Sequence, residues 1–114
     1  MDFDALTDKA EQASQLLKSL ANDRRLLILC HLSEGEKSVG ELERLVDLSQ
    51  SALSQHLARL RRDELVSTRR QAQTIYYSIA SPEAGAVLET LYAIYCADEA
   101  DAPRRAATGR RTRG

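Results

Sequence analysis

A chain of 114 residues, 43% apolar and 29% charged, suffices for one core and is too short for two independent ones. Aromatics are scarce, no apolar run approaches the roughly 20 residues that span a bilayer, and the opening Met1-Asp2-Phe3-Asp4 is acidic where a secretory leader is basic, so the expectation is a soluble, cytoplasmic, mainly helical protein. The net charge of −1 conceals a segregation: residues 44–77 carry six Arg against three acids and 104–114 carry five Arg and no acid, whereas 1–43 and 78–103 are acidic.

Leu6, Ala10, Ala13, Leu17 and Leu20 recur at steps of four and three, which predicts a first amphipathic helix. Asn22 or Asp23 can cap a second helix, apolar nearly all round from Leu26 to Leu32 and ending near Gly35; it belongs in the centre of the core. Ser38 with Glu41 is a capping box for a short third helix running through Val46. Ser49 caps a fourth, reaching about Asp63, with Leu48 placed to staple onto Leu53. The β-branched and aromatic runs Leu65–Arg69 and Thr74–Ile79, separated by Arg70-Gln71-Ala72-Gln73, predict one β-hairpin. Ser81-Pro82 opens a fifth helix to about Ala97, whose apolar stripe (Ala84, Val87, Leu88, Leu91, Tyr92 and Tyr95) is wider than one small core needs. From residue 99 onward, small residues and Arg predict a disordered tail, separate from the domain formed by residues 1–98.

The fold class that follows is mainly α with a small β-hairpin: a winged helix-turn-helix, in which helices three and four form the helix-turn-helix and the hairpin is the wing. On the fourth helix Leu53, Leu57 and Leu60 share the core face, while Ser51, Gln55, Ala58 and Arg62 lie opposite, flanked by Gln50 and Ser54. Ser and Gln can donate to and accept from base edges in the major groove of duplex DNA, and Arg can neutralise phosphates. The candidate DNA-reading residues are therefore Gln50, Ser51, Ser54 and Gln55, with Arg59, Arg62, Arg69, Arg70, Gln71 and Gln73 on the helix end and wing. Each alone reads equally well as a solvated surface position; their combination carries the inference. His56, beside the apolar arc, reads as a packed or capping residue. No glycine-rich phosphate loop, ligand cluster or Ser-His-Asp arrangement suggests an enzyme, and no cofactor is implied. A winged helix devoted to protein contacts is a competing reading of the same residues.

Leu20-Ala21-Asn22-Asp23-Arg24-Arg25-Leu26-Leu27-Ile28-Leu29, Val39-Gly40-Glu41-Leu42, Leu48-Ser49-Gln50-Ser51-Ala52-Leu53-Ser54-Gln55-His56-Leu57 with Leu60-Arg61, and Ile75-Tyr76-Tyr77 together resemble the arsenic-repressor-like family of bacterial winged-helix repressors over residues 6–97. The resemblance implies a homodimer through the first and last helices, a pseudo-palindromic operator, and release of DNA on sensing a chemical signal. Metal-sensing members carry a Cys-x-Cys pair where this chain has Ser38 and Gly40. A second type of metal site uses His and carboxylates on the last helix, which here has no His and only Glu83, Glu89, Asp98 and Glu99; no metal site is expected.

Cys30 and Cys96 are the only thiols, and on residue chemistry alone they read either as small buried hydrophobes or as a reactive pair. The chain is similar to the sulfide-responsive branch of the family, which carries one Cys in the second helix and one in the last at this separation. That resemblance implies redox sensing by Cys30 and Cys96, with low-molecular-weight persulfides as effector and a bridge of two or more sulfurs within one protomer. A simple disulfide needs Cα atoms about 4.4–6.8 Å apart, and each inserted sulfur adds roughly 2 Å of reach, so the spacing of the pair bears on persulfide against peroxide selectivity. A general oxidant sensor and a metal sensor with unusual ligands remain alternatives.

Overall fold

Asp2 opens the first helix, α1 (Phe3–Leu20), by accepting from the backbone N–H groups of Asp4 and Ala5 at 3.0 and 3.2 Å, so the helix starts three residues before the periodic apolar pattern. The computed structural model describes residues 1–96; the Arg-rich tail, with Asp98 and Glu99 before it, lies outside the described residues. Asn22 is the N-cap of α2 (Asp23–Leu32), accepting from Arg24 N and Arg25 N at 3.0 Å each. Gly35, three residues past that helix, has φ +139°, a backbone conformation that side chains with a Cβ rarely adopt.

A two-residue strand, β1 (Lys37–Ser38), follows and was not expected from the sequence. It leads into α3 (Val39–Leu45), where the Ser38–Glu41 capping box forms as expected: Ser38 N donates to Glu41 Oε1 at 2.8 Å and Glu41 N to Ser38 Oγ at 3.1 Å. After Ser49, α4 (Gln50–Arg62) ends in a Schellman motif: Leu65 N donates to Leu60 O at 2.9 Å and Glu64 N to Arg61 O at 3.0 Å, with Leu60 and Leu65 both buried. Glu64 occupies the left-handed position (φ 64°) that glycine usually fills.

The hairpin comprises β2 (Val66–Gln71) and β3 (Thr74–Ile79), and β1 adds to the free edge of β3, giving a three-stranded antiparallel sheet of order β1-β3-β2. Its turn is two residues, shorter than the expected polar stretch, because Arg70 and Gln71 pair with Ile75 and Thr74 and only Ala72 (φ 56°) and Gln73 remain. Ser81 caps α5 (Pro82–Tyr95) by accepting from Ala84 N at 3.0 Å.

The core gathers Leu20, Ile28, Leu29, Leu32 and Leu42 with Leu53, Leu57, Leu60, Leu65, Val66, Ala84 and Leu88. Leu48 packs half-buried against this cluster, which includes its expected staple partner Leu53. α2 is central, as its composition implied, but only one face is covered: Ile28 and Leu29 are fully buried whereas Leu27 and Cys30 are exposed. The first and last helices leave larger apolar surfaces open. On α1 Leu20 is buried while Phe3, Leu6 and Leu17 are exposed; on α5 the core takes Ala84 and Leu88 and leaves Tyr92, Ile94 and Tyr95 54%, 64% and 73% accessible.

Candidate nucleic-acid interface and thiol pair

Three buried leucines, Leu53, Leu57 and Leu60, press one side of α4 onto the core and thereby turn its other side outward. Ser49 accepts from Ala52 N at 3.2 Å and fixes where the helix begins, so Gln50 and Ser51 stand in its first turn. Gln50, Ser51, Ser54, Gln55 and Arg62 are all exposed, away from the buried leucines of the same helix. His56 is half-buried; burial and the nearby Arg25 charge hold its pKa below the usual imidazole value against the opposing pull of Asp23.

The arginines divide into two groups. Arg59 Nε donates to Asp63 Oδ2 at 3.0 Å, and Arg62 Nε approaches Asp63 Oδ1 at 3.7 Å. Asp63 also accepts from the Ser19 hydroxyl, and that hydrogen bond, then those of Arg59 and the charges of Arg59 and Arg62, lower its pKa against the effect of burial. Ser19 in turn gives its backbone carbonyl to Arg25 Nε at 2.7 Å, while Arg25 Nη2 reaches Lys18 O at 3.2 Å. The end of α1 is therefore fastened between α2 and the end of α4, and Arg59 belongs to this fastening more than to the open surface.

On the wing, directly paired residues share a sheet face and alternate residues change face. Val66, Thr68 and Arg70 lie with Ile79, Tyr77 and Ile75 on the face whose base packs on the core; Ser67, Arg69 and Gln71 lie with Ser78, Tyr76 and Thr74 on the other. Arg69 is engaged there by three hydrogen bonds. Its Nε and Nη2 donate to Glu36 Oε2 and Oε1 at 2.9 and 2.7 Å, its Nη1 to Gln71 Oε1 at 2.8 Å, and its guanidinium lies 4.6 Å from the centre of the Tyr76 ring. Arg70 and Gln73 are exposed, and among the described residues Arg70 has no ion pair.

Between α4 and the sheet runs a groove of about 490 Å³ whose walls include Val39, Ser54, Ala58, Arg61, Arg62 and Tyr77. Arg61, which the sequence reading did not select, is exposed on this groove and makes no ion pair among the described residues. Helical arithmetic could have found it, since it lies seven residues, close to two turns, beyond Ser54.

The two thiols lie away from this surface. Cys30 is exposed in the last turn of α2, and Cys96 is the half-buried C-cap of α5, its N–H donating to Tyr92 O at 2.7 Å; both are free. Partial burial, and secondly the charge of Cys96, push the Cys30 thiol pKa up. Cys30 opens onto a groove of about 830 Å³ walled by the α2–β1 loop, the β3 end and α5, with Glu36, Ser78, Glu89 and Tyr92 among its lining.

Residues 22–68 match the family described as bacterial regulatory protein, arsR family. Over 96 residues the chain is 52% identical to the transcriptional activator HlyU of Vibrio cholerae, covering 84% of this chain and 89% of that one. The chain belongs to the arsR family of bacterial regulatory proteins. Among solved structures, reduced HlyU from Vibrio cholerae superposes with a TM-score of 0.76 at 53% identity, covering 81% of this chain and 97% of that one. The transcriptional repressor BigR from Xylella fastidiosa gives 0.81 at 39% identity, covering 85% and 99%. A homodimeric winged helix-turn-helix DNA-binding domain, Mb0332 from Mycobacterium bovis, gives 0.69 at 30% identity, covering 82% and 85%.

These relatives are DNA-binding transcriptional regulators, and the winged helix-turn-helix architecture expected from the sequence is the one observed. Their names include both an activator and a repressor, so arsR membership by itself does not give the sign of regulation. Ser38 and Gly40 supply no metal-ligating side chain at the start of α3, and among the described residues no group of three or more His, Cys, Asp or Glu side chains converges as metal ligands would. No helix among the described residues is long and apolar enough to cross a membrane.

Proposed function

We propose that the chain is a homodimeric repressor that reads duplex DNA with α4 and the wing and lets go when reactive sulfur links Cys30 to Cys96. The observation that carries this reading is that Cys30, near the end of α2, opens onto a groove walled by Tyr92 of α5, whose carbonyl accepts the Cys96 N–H, so the two thiol-bearing helix ends meet outside the DNA-reading segment. The similarity to BigR and the existence of a solved reduced form of HlyU support it. The exposed Phe3, Leu6 and Leu17 on α1 and Tyr92, Ile94 and Tyr95 on α5 supply apolar surface for a second copy, as in the homodimeric relative. Two-fold symmetry then sets two recognition helices roughly 34 Å apart on a pseudo-palindromic site.

Gln50, Ser51, Ser54 and Gln55 read bases in this proposal, and Arg62, Arg70 and Arg61 meet phosphates. Regulation is sulfur exchange. One thiolate attacks the sulfane sulfur of a persulfide R–S–SH, forming Cys–S–SH while R–S⁻ leaves; the second thiolate then attacks the inner sulfur, closing Cys–S–S–Cys while HS⁻ leaves. When each cysteine first takes up one sulfane sulfur, the same closure gives a trisulfide and HS⁻. Because Cys96 ends a helix of the proposed dimer interface, closing the bridge shifts one protomer against the other and misplaces the recognition helices.

The test treats the reduced full chain with glutathione persulfide and, separately, with peroxide. Intact mass and affinity for a duplex enriched from a random-sequence pool by the reduced protein are then measured. A Cys30–Cys96 bridge with a fall in affinity after persulfide, absent from the Cys30→Ser and Cys96→Ser variants, is the expected result. An equal response to peroxide would make the chain a general oxidant sensor, and unchanged affinity in a fully bridged protein would overturn thiol control.

A further inference from the structure

Of the two wing arginines, only one has its charge available. Arg70 shares a sheet face with Tyr77, which walls the groove beside Ser54, Arg61 and Arg62, so it continues the surface of the recognition helix. Arg69 is on the opposite face, and three of its five N–H donors are used: two by Glu36 and one by Gln71. The Glu36 carboxylate occupies the planar fork that a phosphate would otherwise take, in the bidentate geometry that suits either anion. The ring of Tyr76 covers one face of the guanidinium.

A cation already neutralised by a carboxylate displaces no counterion from DNA. For Arg69 to reach a phosphate, the Glu36 pair must first break, and a bare carboxylate is then left on the flank of a polyanion. Attraction to phosphate acts on every sequence alike, so each additional free arginine strengthens sequence-independent binding as much as operator binding. Resting on the reading of α4 and the wing as the DNA-binding surface, we propose that Glu36 is a specificity-determining residue that acts through Arg69. It withdraws that arginine from the phosphate backbone, so that the wing meets DNA through Arg70 and non-specific affinity is held down. Gln71, tied to Arg69, belongs to this arrangement and is not a base reader.

The experiment measures the affinity of the reduced full chain for a 30-base-pair duplex of scrambled sequence, between about 50 and 200 mM salt, for wild type, Glu36→Gln, Arg69→Gln, the double variant and Arg70→Gln. Glu36→Gln is expected to bind this duplex more tightly, with a log–log salt slope steeper by about 0.9 for each wing engaged, so that its advantage over wild type shrinks about 3.5-fold per wing across that salt range. Arg69→Gln leaves the wild-type slope unchanged, the double variant matches Arg69→Gln, and Arg70→Gln makes the slope shallower by about 0.9 per wing. Circular dichroism and thermal midpoints confirm that each variant is folded before it is scored. A shallower slope in Arg69→Gln alone would mean that Arg69 already holds a phosphate and would overturn the proposal. So would a steepening of the slope by Glu36→Gln that persists when Arg69 is absent, since no arginine is then released to a phosphate. Failure of wild type to bind any duplex, with no salt dependence, would instead overturn the DNA-binding reading itself.

Discussion

Replacing Arg25 by Met asks how much of the molecule hangs on one guanidinium. Arg25 is 8% exposed and donates to Ser19 O at 2.7 Å and to Lys18 O at 3.2 Å, the latter also accepting from the Ala21 N–H that caps α1 at 3.3 Å. Hydrogen bonds from a charged donor contribute about 1.5 kcal/mol each at the low end of their range, so the two are worth about 3 kcal/mol. Against this, taking the guanidinium out of water costs on the order of 1 kcal/mol; the same burial, with the neighbouring Arg59 charge, lowers the Arg25 pKa, and Asp63 only partly offsets them. Met keeps the apolar stem, so the net loss is about 2 kcal/mol. With a urea dependence of about 1.5 kcal/mol per molar, the unfolding midpoint should fall by about 1.3 M at fixed protein concentration, without a change in slope. Arg25→Lys, able to reach one carbonyl, should lose about half as much. A midpoint for Arg25→Met within about 0.2 M of wild type would refute the view that this side chain fastens α1 to the body.

Asp63 has a depressed folded-state pKa, so its contribution to stability is complete above the unfolded carboxylate value of about 4 and is lost as pH falls through the lower folded value; Asp63→Asn should remove that part of the acid limb in urea titrations run from neutral to acid pH. Removing the Cys96 thiol takes away one of the two causes that raise Cys30, so Cys96→Ser should shift the pH dependence of Cys30 alkylation to lower pH, and an unmoved profile would mean the thiols do not sense each other. Glu64→Gly relieves a left-handed backbone at the Schellman position and should raise stability by about 0.5–1 kcal/mol in the same urea assay, despite the greater freedom glycine gives the unfolded chain.

What could be read in advance was local. Ser38 with Glu41, Ser49, and Ser81 before Pro82 each act within one helical turn, and each cap appears where its residues stand. The start of α1 was legible too, since Asp2 is a cap residue, but the apolar period begins only at Leu6 and drew the boundary inward. β1 was not legible: Lys37 and Ser38 are a strand only because Tyr77 and Tyr76, about 40 residues on, present a free edge. The same locality divides the arginines. Arg59 and Asp63 stand four apart on one helix, a spacing that already announces an ion pair. Nothing near Arg69 in the sequence announces Glu36, 33 residues earlier, and so a wing arginine that looked available for DNA is occupied.

From Phe3 to Gln15 every residue of α1 is exposed in the single protomer, and the helix, about 27 Å long, is anchored only near its last turn. A helical segment that buries so little is marginal in water, so on the proposed dimer the second copy supplies ordering energy for it. Dilution would then unwind the arm as it separates the copies, and wherever the separated form dominates and the DNA is far from saturated, occupancy would follow the square of the chain's concentration. In that range a modest change in its synthesis would produce a sharper change in transcription, independently of the proposed thiol switch.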